Sequence, residues 1–152
     1  MDDPDPTTEI ARRARALLAM REHSRLELAR KLASRGFDQV DIDGALERLA
    51  AEGSLDERRL AELYVAERAG KGFGPVRIRA ELLEKGLPDA LIDPYLDAMR
   101  DDWMAYMAEI YDRRFGSERP GDRDEYARRG RFLEQRGFPT EMIRRFLRWP
   151  DD

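Results

Sequence analysis

Four sets of residues have the types and spacing that chemistry would need. Residues 71–82, KGFGPVRIRAEL, set a lysine and two glycines ahead of a basic run, the composition of a loop that cradles phosphate on backbone N–H groups. The carboxylates Asp101 with Asp102, and Asp122 with Asp124, could hold the divalent metal of a nuclease. His23, the one histidine, could act as a base. Nine cations, Arg25, Arg30, Lys31, Arg35, Arg68, Lys71, Arg77, Arg79 and Lys85, could meet nucleic-acid phosphates or an acidic protein surface.

The first three sets have plainer readings. A nucleotide loop follows a strand and places its lysine after the glycines, whereas here no strand precedes them and Lys71 comes first. Gly74 reads instead as a helix N-cap and Pro75 as the first helical residue, where its missing N–H does no harm. Adjacent carboxylates on a helix point in different directions, and the positive end of a helix attracts them without any catalysis. His23 falls at a break between helices and reads as an ordinary solvated side chain. The chain has no cysteine, which excludes disulfides, thiolate metal sites and cysteine nucleophiles. No catalytic residue, metal or cofactor is expected, and the chain is not read as an enzyme.

The elements that carry the cations repeat. Around Gly36, Gly86 and Gly137, spaced by 50 and then 51 residues, equal offsets hold like residues. Four before stand Leu32, Leu82 and Leu133; one before, Arg35, Lys85 and Arg136; one after, Phe37, Leu87 and Phe138. Six after stand Ile42, Ile92 and Ile143, and ten after Leu46, Leu96 and Leu147. The leucine packs the last turn of one helix, the glycine ends that helix in a left-handed conformation, and the isoleucine and leucine form the inner stripe of the next. A further amphipathic run precedes each pair: Ile10, Ala14, Leu17 and Leu18; then Leu60, Ala61, Leu63 and Tyr64; then Trp103, Met104, Met107, Ile110 and Tyr111. The pattern predicts an all-α chain of three tandem three-helix repeats in an elongated, curved array. The divisions are an acidic tail over 1–6, repeats over 7–53, 54–100 and 101–149, and a tail over 150–152. Gly44 and Pro94, eight residues past their marker glycines, predict a kink or a late start in the third helices of the first two repeats, and Arg129 stands where Leu28 and Ile78 do, so the last repeat is expected to pack differently.

Charge alternates along the chain. Residues 11–35 hold eight basic and two acidic side chains, residues 86–112 one basic and seven acidic, within a net charge of −4. That balance argues against a protein whose whole surface binds DNA, and favours a basic stripe along the second helices. The opening MDDPDP is acidic where a signal peptide would be basic, and no run is long and apolar enough to span a membrane, so a cytoplasmic chain with no membrane partner is expected.

Three stretches together resemble the RecX family, bacterial regulators of the RecA recombinase: REHSRLELARKLASRGF; LDERRLAELYVAERAGKGFGPVRIRAELLEKGL, whose GPxRI and ELxxKG elements are the most specific; and DWMAYMAEIYDRRFG with RGRFLEQRGFPTEMIRRFL. The resemblance covers the chain from about residue 11 to 148. The resemblance implies a protein that binds the RecA nucleoprotein filament across neighbouring protomers and suppresses filament extension, ATP hydrolysis and strand exchange in recombination, DNA repair and the SOS response; a monomer is expected. It implies no catalytic residues and no cofactor. The nine cations are the expected contacts with the filament and, as a second ligand, with single- or double-stranded DNA. The competing reading is a helical-repeat DNA-binding module, supported by Arg144, Arg145 and Arg148, or a scaffold, acting without RecA.

Overall fold

The computed structural model describes residues 5–148, so most of the predicted N-terminal tail, 1–4, the last residue of the predicted third repeat, 149, and the predicted C-terminal tail, 150–152, lie outside the described residues. Among the described residues it consists of nine helices: α1 Pro6–Met20, α2 Arg25–Ala33, α3 Gln39–Ala51, α4 Glu57–Gly70, α5 Pro75–Glu84, α6 Asp89–Ala98, α7 Trp103–Phe115, α8 Arg123–Arg136 and α9 Thr140–Leu147. None is long and apolar enough to cross a membrane. Local chemistry starts them. Asp5, Asp56 and Asp122 accept backbone N–H groups at the starts of α1, α4 and α8, and Ser24 with Glu27 forms a reciprocal capping box on α2. Gly36, Gly86 and Gly137 all have φ between +92° and +101°, the left-handed conformation that ends the second helix of each unit.

The third helices do not start late. α3, α6 and α9 begin three residues past their marker glycines, with Gly44 and Pro94 inside the first two. A proline at the sixth helical position removes one intrahelical hydrogen bond, yet buried Ile92 and Leu96 on either side hold α6 to the core. The inward faces follow the predicted spacing with one correction. Leu63 is 54% exposed, because Leu60, Ala61 and Val65 take the buried stripe of α4 and leave it on the outer side.

Apolar packing divides the chain unequally. Ile10, Leu28, Leu32, Ile42, Leu46 and Leu49 close a core inside the first unit. A second core runs without a break through the other two units, from Leu60, Ile78, Leu82 and Ile92 to Trp103, Met107, Leu133 and Ile143. Each such side chain contributes roughly 1.5–3 kcal/mol on burial. As predicted, the last unit packs differently at Arg129. This side chain is 5% exposed, donates to the Tyr111 hydroxyl at 2.7 Å and the Glu118 carbonyl at 2.8 Å, and pairs with Glu125. A buried guanidinium replaces the aliphatic group of the other units because three acceptors surround it.

Successive units are joined end to end through their second helices. At the start of α5 the Gly74 N–H donates to the Arg136 carbonyl at 2.8 Å and the Val76 N–H to the Gly137 carbonyl at 2.9 Å. Gly74 has no side chain to cap its own helix, so the C-terminal carbonyls of α8 do so. At the start of α2 the Ser24 hydroxyl donates to the Lys85 carbonyl, at the end of α5, at 2.6 Å. The helices α8, α5 and α2 thus stand in a row with positive ends on negative ends, an arrangement their dipoles favour.

The glycines of KGFG are therefore spacers. A Cβ on Gly74 would lie 2.5 Å from the Gly137 carbonyl oxygen, and one on Gly72, at φ +89°, 2.7 Å from Ile110. Gly44, by contrast, has nothing within 4 Å of where a Cβ would stand. Gly74→Ala is expected to destabilise the chain by about 1–3 kcal/mol, and Gly44→Ala to stabilise it by roughly 0.5–1 kcal/mol. Urea unfolding of both variants beside the unchanged chain checks the opposite signs.

Candidate functional site

The nine cations start from one pattern, basic second helices facing acidic third helices, and the fold brings many of them together with carboxylates. Arg25 pairs with Glu47 at 2.9 Å, and Arg79 with Asp89 at 2.7 Å and Asp93 at 3.0 Å. These are pairs between the second and third helix of one unit, so the alternating charge of the sequence folds largely into contacts within units. Such pairs at the surface contribute about 0–1 kcal/mol each. Lys71 pairs with Glu67 one turn earlier on α4 at 2.9 Å, with both side chains more than half exposed.

Arg68, Arg77 and Lys85 are set deeper. Arg68 makes a two-pronged contact with Glu81, Nε to Oε1 at 3.0 Å and Nη2 to Oε2 at 2.9 Å, and Tyr64 donates to the same carboxylate at 3.0 Å. Burial, and then Glu81, push the Tyr64 phenol up to about 12, so it remains a donor. The guanidiniums of Arg68, Arg77 and Arg136 lie 3.8, 4.5 and 4.3 Å from the centre of the Phe73 ring. Arg136, outside the predicted set, donates to the Lys71 carbonyl at 3.2 Å, while its buried Nε has no partner. Burial, and then the charges of Arg77 and Arg68, lower its pKa.

Lys85 belongs to the joint between the first two units. Its ammonium lies 3.3 Å from Glu27, which also accepts from Arg21 at 2.9 Å and from the Ser24 N–H at 3.0 Å. Burial would raise the Glu27 carboxyl, but these three donors outweigh it and hold it at about 2. Glu22 with Arg59, and Glu57 with the Arg25 N–H, complete this joint.

Arg30, Lys31 and Arg35 remain, and they sit together at the C-terminal end of α2. All three are exposed, and among the described residues none of them forms an ion pair. Beside them a groove of about 580 Å³ opens between α1 and the end of α2, lined among others by Arg12, Arg13, Leu17, Met20, Lys31 and Arg35. Met20 is 83% exposed there. Arg12 and Arg13 were not among the expected cations; both pair with Glu9 and still face the groove. Their place in the basic stretch 11–35 was the sequence signal for them.

His23 is corrected: it is 1% exposed, not solvated. It stands at the start of the joint, where Lys31 Nζ contacts its Nε2 at 2.9 Å and its Nδ1 faces the Arg21 carbonyl at 3.0 Å. Lysine only donates, so Nε2 accepts and Nδ1 carries the proton. Burial is the main cause of its lowered pKa, which keeps the ring neutral at pH 7. The carboxylate pairs are not drawn into a site either. Asp122 caps α8, and no group of three or more His, Asp or Glu side chains that could hold a metal is gathered among the described residues.

Three family profiles match this chain. "RecX, first three-helix domain" covers residues 12–49, "RecX, second three-helix domain" 56–96, and "RecX, third three-helix domain" 101–147. The chain is 47% identical over 143 residues to the "Regulatory protein RecX" of Pseudomonas savastanoi pv. phaseolicola (strain 1448A / Race 6), covering 94% of this chain and 92% of that one. It is 48% identical over 128 residues to the protein of the same name from Halorhodospira halophila (strain DSM 244 / SL1), covering 84% and 80%. The crystal structure of RecX from Lactobacillus salivarius superposes with a TM-score of 0.80 at 21% identity, covering 97% of both chains, a likeness of fold.

A carboxyl held at about 2 in the folded chain and near 4.5 without it adds stability that is complete above pH ~4.5 and lost as pH falls toward ~2. Glu27→Gln is expected to remove that part of the acid dependence, which thermal melts of both proteins between pH 6 and about pH 2.5 would reveal.

Proposed function

The chain belongs to the RecX family, and from that premise we propose that it regulates the RecA recombinase by binding along the RecA–DNA filament. Bound there, it suppresses filament extension, ATP hydrolysis and strand exchange. The observation that carries the reading is the repeated joint: three similar units linked through the ends of their second helices form a one-dimensional array. A filament presents the same surface on every protomer. Successive units of such an array engage successive protomers, and each contact raises the effective concentration of the next. An array that spans protomer boundaries binds one arrangement of neighbours best and so opposes the rearrangements that growth and turnover require.

The contact surface in this reading is the exposed basic end of α2, with Arg30, Lys31 and Arg35, beside the groove under Arg12 and Arg13. The paired cations have their charges already met by carboxylates: Arg25, Arg68 and Arg79 tie together helices of one unit, Arg77 pairs along its own helix, and Lys85 ties the first unit to the second. One observation supports a second reading, direct nucleic-acid contact: of the three guanidiniums around Phe73, Arg68 and Arg77 share a single carboxylate, Glu81, while Arg136 forms no ion pair among the described residues and its Nε has no partner.

Titration of RecA's DNA-dependent ATPase, beside binding to bare single-stranded DNA, tests the proposal. Inhibition at levels well below RecA with weak bare-DNA binding is the expected result. No effect on the ATPase together with tight, salt-sensitive DNA binding would instead select the DNA-binding module. Within the proposal, the double variant Arg30→Glu/Lys31→Glu is expected to weaken filament binding about tenfold, and Lys71→Glu less than about twofold.

A further inference from the structure

Each marker glycine ends a second helix and so presents a helix C-terminus. In two of the three units the first turn of the preceding unit's second helix sits on that end. A Cβ on Gly86 would lie 2.9 Å from Leu26, and one on Gly137 2.3 Å from Arg77. The carbonyls one residue earlier, of Lys85 and Arg136, accept from the Ser24 hydroxyl and the Gly74 N–H. Gly36 has the same backbone, φ +92°, yet a Cβ there would meet nothing within 4 Å. Among the described residues no donor reaches the Arg35 or Gly36 carbonyl. Among the described residues, the first unit therefore displays, uncovered, the surface that the chain covers twice within itself.

We propose that this end of α2 receives the first turn of an α-helix of the protein partner, a turn with a small cap residue, an aliphatic side chain at the second helical position and a glutamate at the third. This rests on the reading that the chain binds a RecA filament, and it supplies that reading with a point of contact. The cap and the aliphatic residue are taken from both internal joints, where Ser24 and Gly74 are the caps and Leu26 and Val76 the second helical residues. The glutamate follows from charge. At the first joint the third helical residue, Glu27, reaches Lys85, and the residue equivalent to Lys85 at the open end is Arg35. Arg30 and Lys31 beside it reinforce the demand for an acidic turn, and the carbonyls at a helix C-terminus favour N–H donors.

A second copy of this chain fits poorly as the occupant. At the other end of the row, among the described residues, no second helix packs on the start of α8; its cap is Asp122, its second helical residue is Asp124, a carboxylate where the joints have Leu26 and Val76, and the glutamate at its third position, Glu125, is already held by Arg129 and the Gly121 N–H.

The test compares the unchanged chain with Gly36→Asn, Arg35→Glu and the control Gly53→Asn. Gly53 is also left-handed, at φ +81°, with nothing within 4 Å, so its variant carries the same backbone strain away from the end of α2. Binding to RecA filaments assembled on poly(dT) is read by fluorescence anisotropy of the labelled chain, with sedimentation of the chain alone. Gly36→Asn and Arg35→Glu are each expected to bind about tenfold more weakly, and Gly53→Asn within about twofold of the unchanged chain. Should Gly36→Asn fail to fold, Arg35→Glu decides alone. If the unchanged chain binds filaments and neither variant weakens it, this inference is overturned and the regulatory reading stands. If the unchanged chain does not bind filaments, both fall. If sedimentation shows self-association that Gly36→Asn abolishes while filament binding is kept, the occupant is a second copy and the proposal is wrong.

Discussion

The structure depends on the contact between the end of one second helix and the start of another. A helix C-terminus carries carbonyls with no intrahelical partner, and a helix N-terminus carries N–H groups in the same condition. Placing one on the other satisfies both sets and aligns the two dipoles. The approach is close enough that backbone meets backbone, which is why Gly74 and Gly137 face one another, with the Gly74 N–H on the Arg136 carbonyl. A side chain on either would separate them.

The two joints obey one geometry but differ in chemistry. Units two and three share a continuous apolar core beneath theirs. The first unit keeps its core to itself and meets the second through Ser24, Glu27, Glu22 and Arg25, on Lys85, Arg59 and Glu57. Hydrophobic burial does not care about pH, whereas a joint built on carboxylates does. The first unit is therefore attached through contacts that charge can tune, and it is also the unit that bears the uncovered basic end.

Charge has two uses in this molecule. Six of the nine expected cations are matched by carboxylates, within a unit as in Arg79 with Asp89 and Asp93, or across the joint as in Lys85 with Glu27. The three of that set without an ion pair among the described residues, Arg30, Lys31 and Arg35, gather where the row ends. An end is where an array has no neighbour to neutralise it, so the same repeat that is self-contained in the middle is left reactive at its terminus.

The helical repeat is written in local sequence. The glycines at 36, 86 and 137 and the leucines and isoleucines at fixed offsets report local rules, helix termination and the 3.6-residue stripe, that act within about twenty residues. Resemblance over the whole chain was likewise legible, because it resides in those same motifs. Tertiary structure alone decided which cations are matched. Arg79 meets Asp93 fourteen residues on and Lys85 meets Glu27 fifty-eight residues back, distances across which sequence carries no pairing signal. It decided that His23 is buried, since the Arg21 carbonyl and Lys31 close around it only when the helix break folds back. It decided too that Gly74 is a spacer, because the backbone it must admit arrives from Gly137, in another unit.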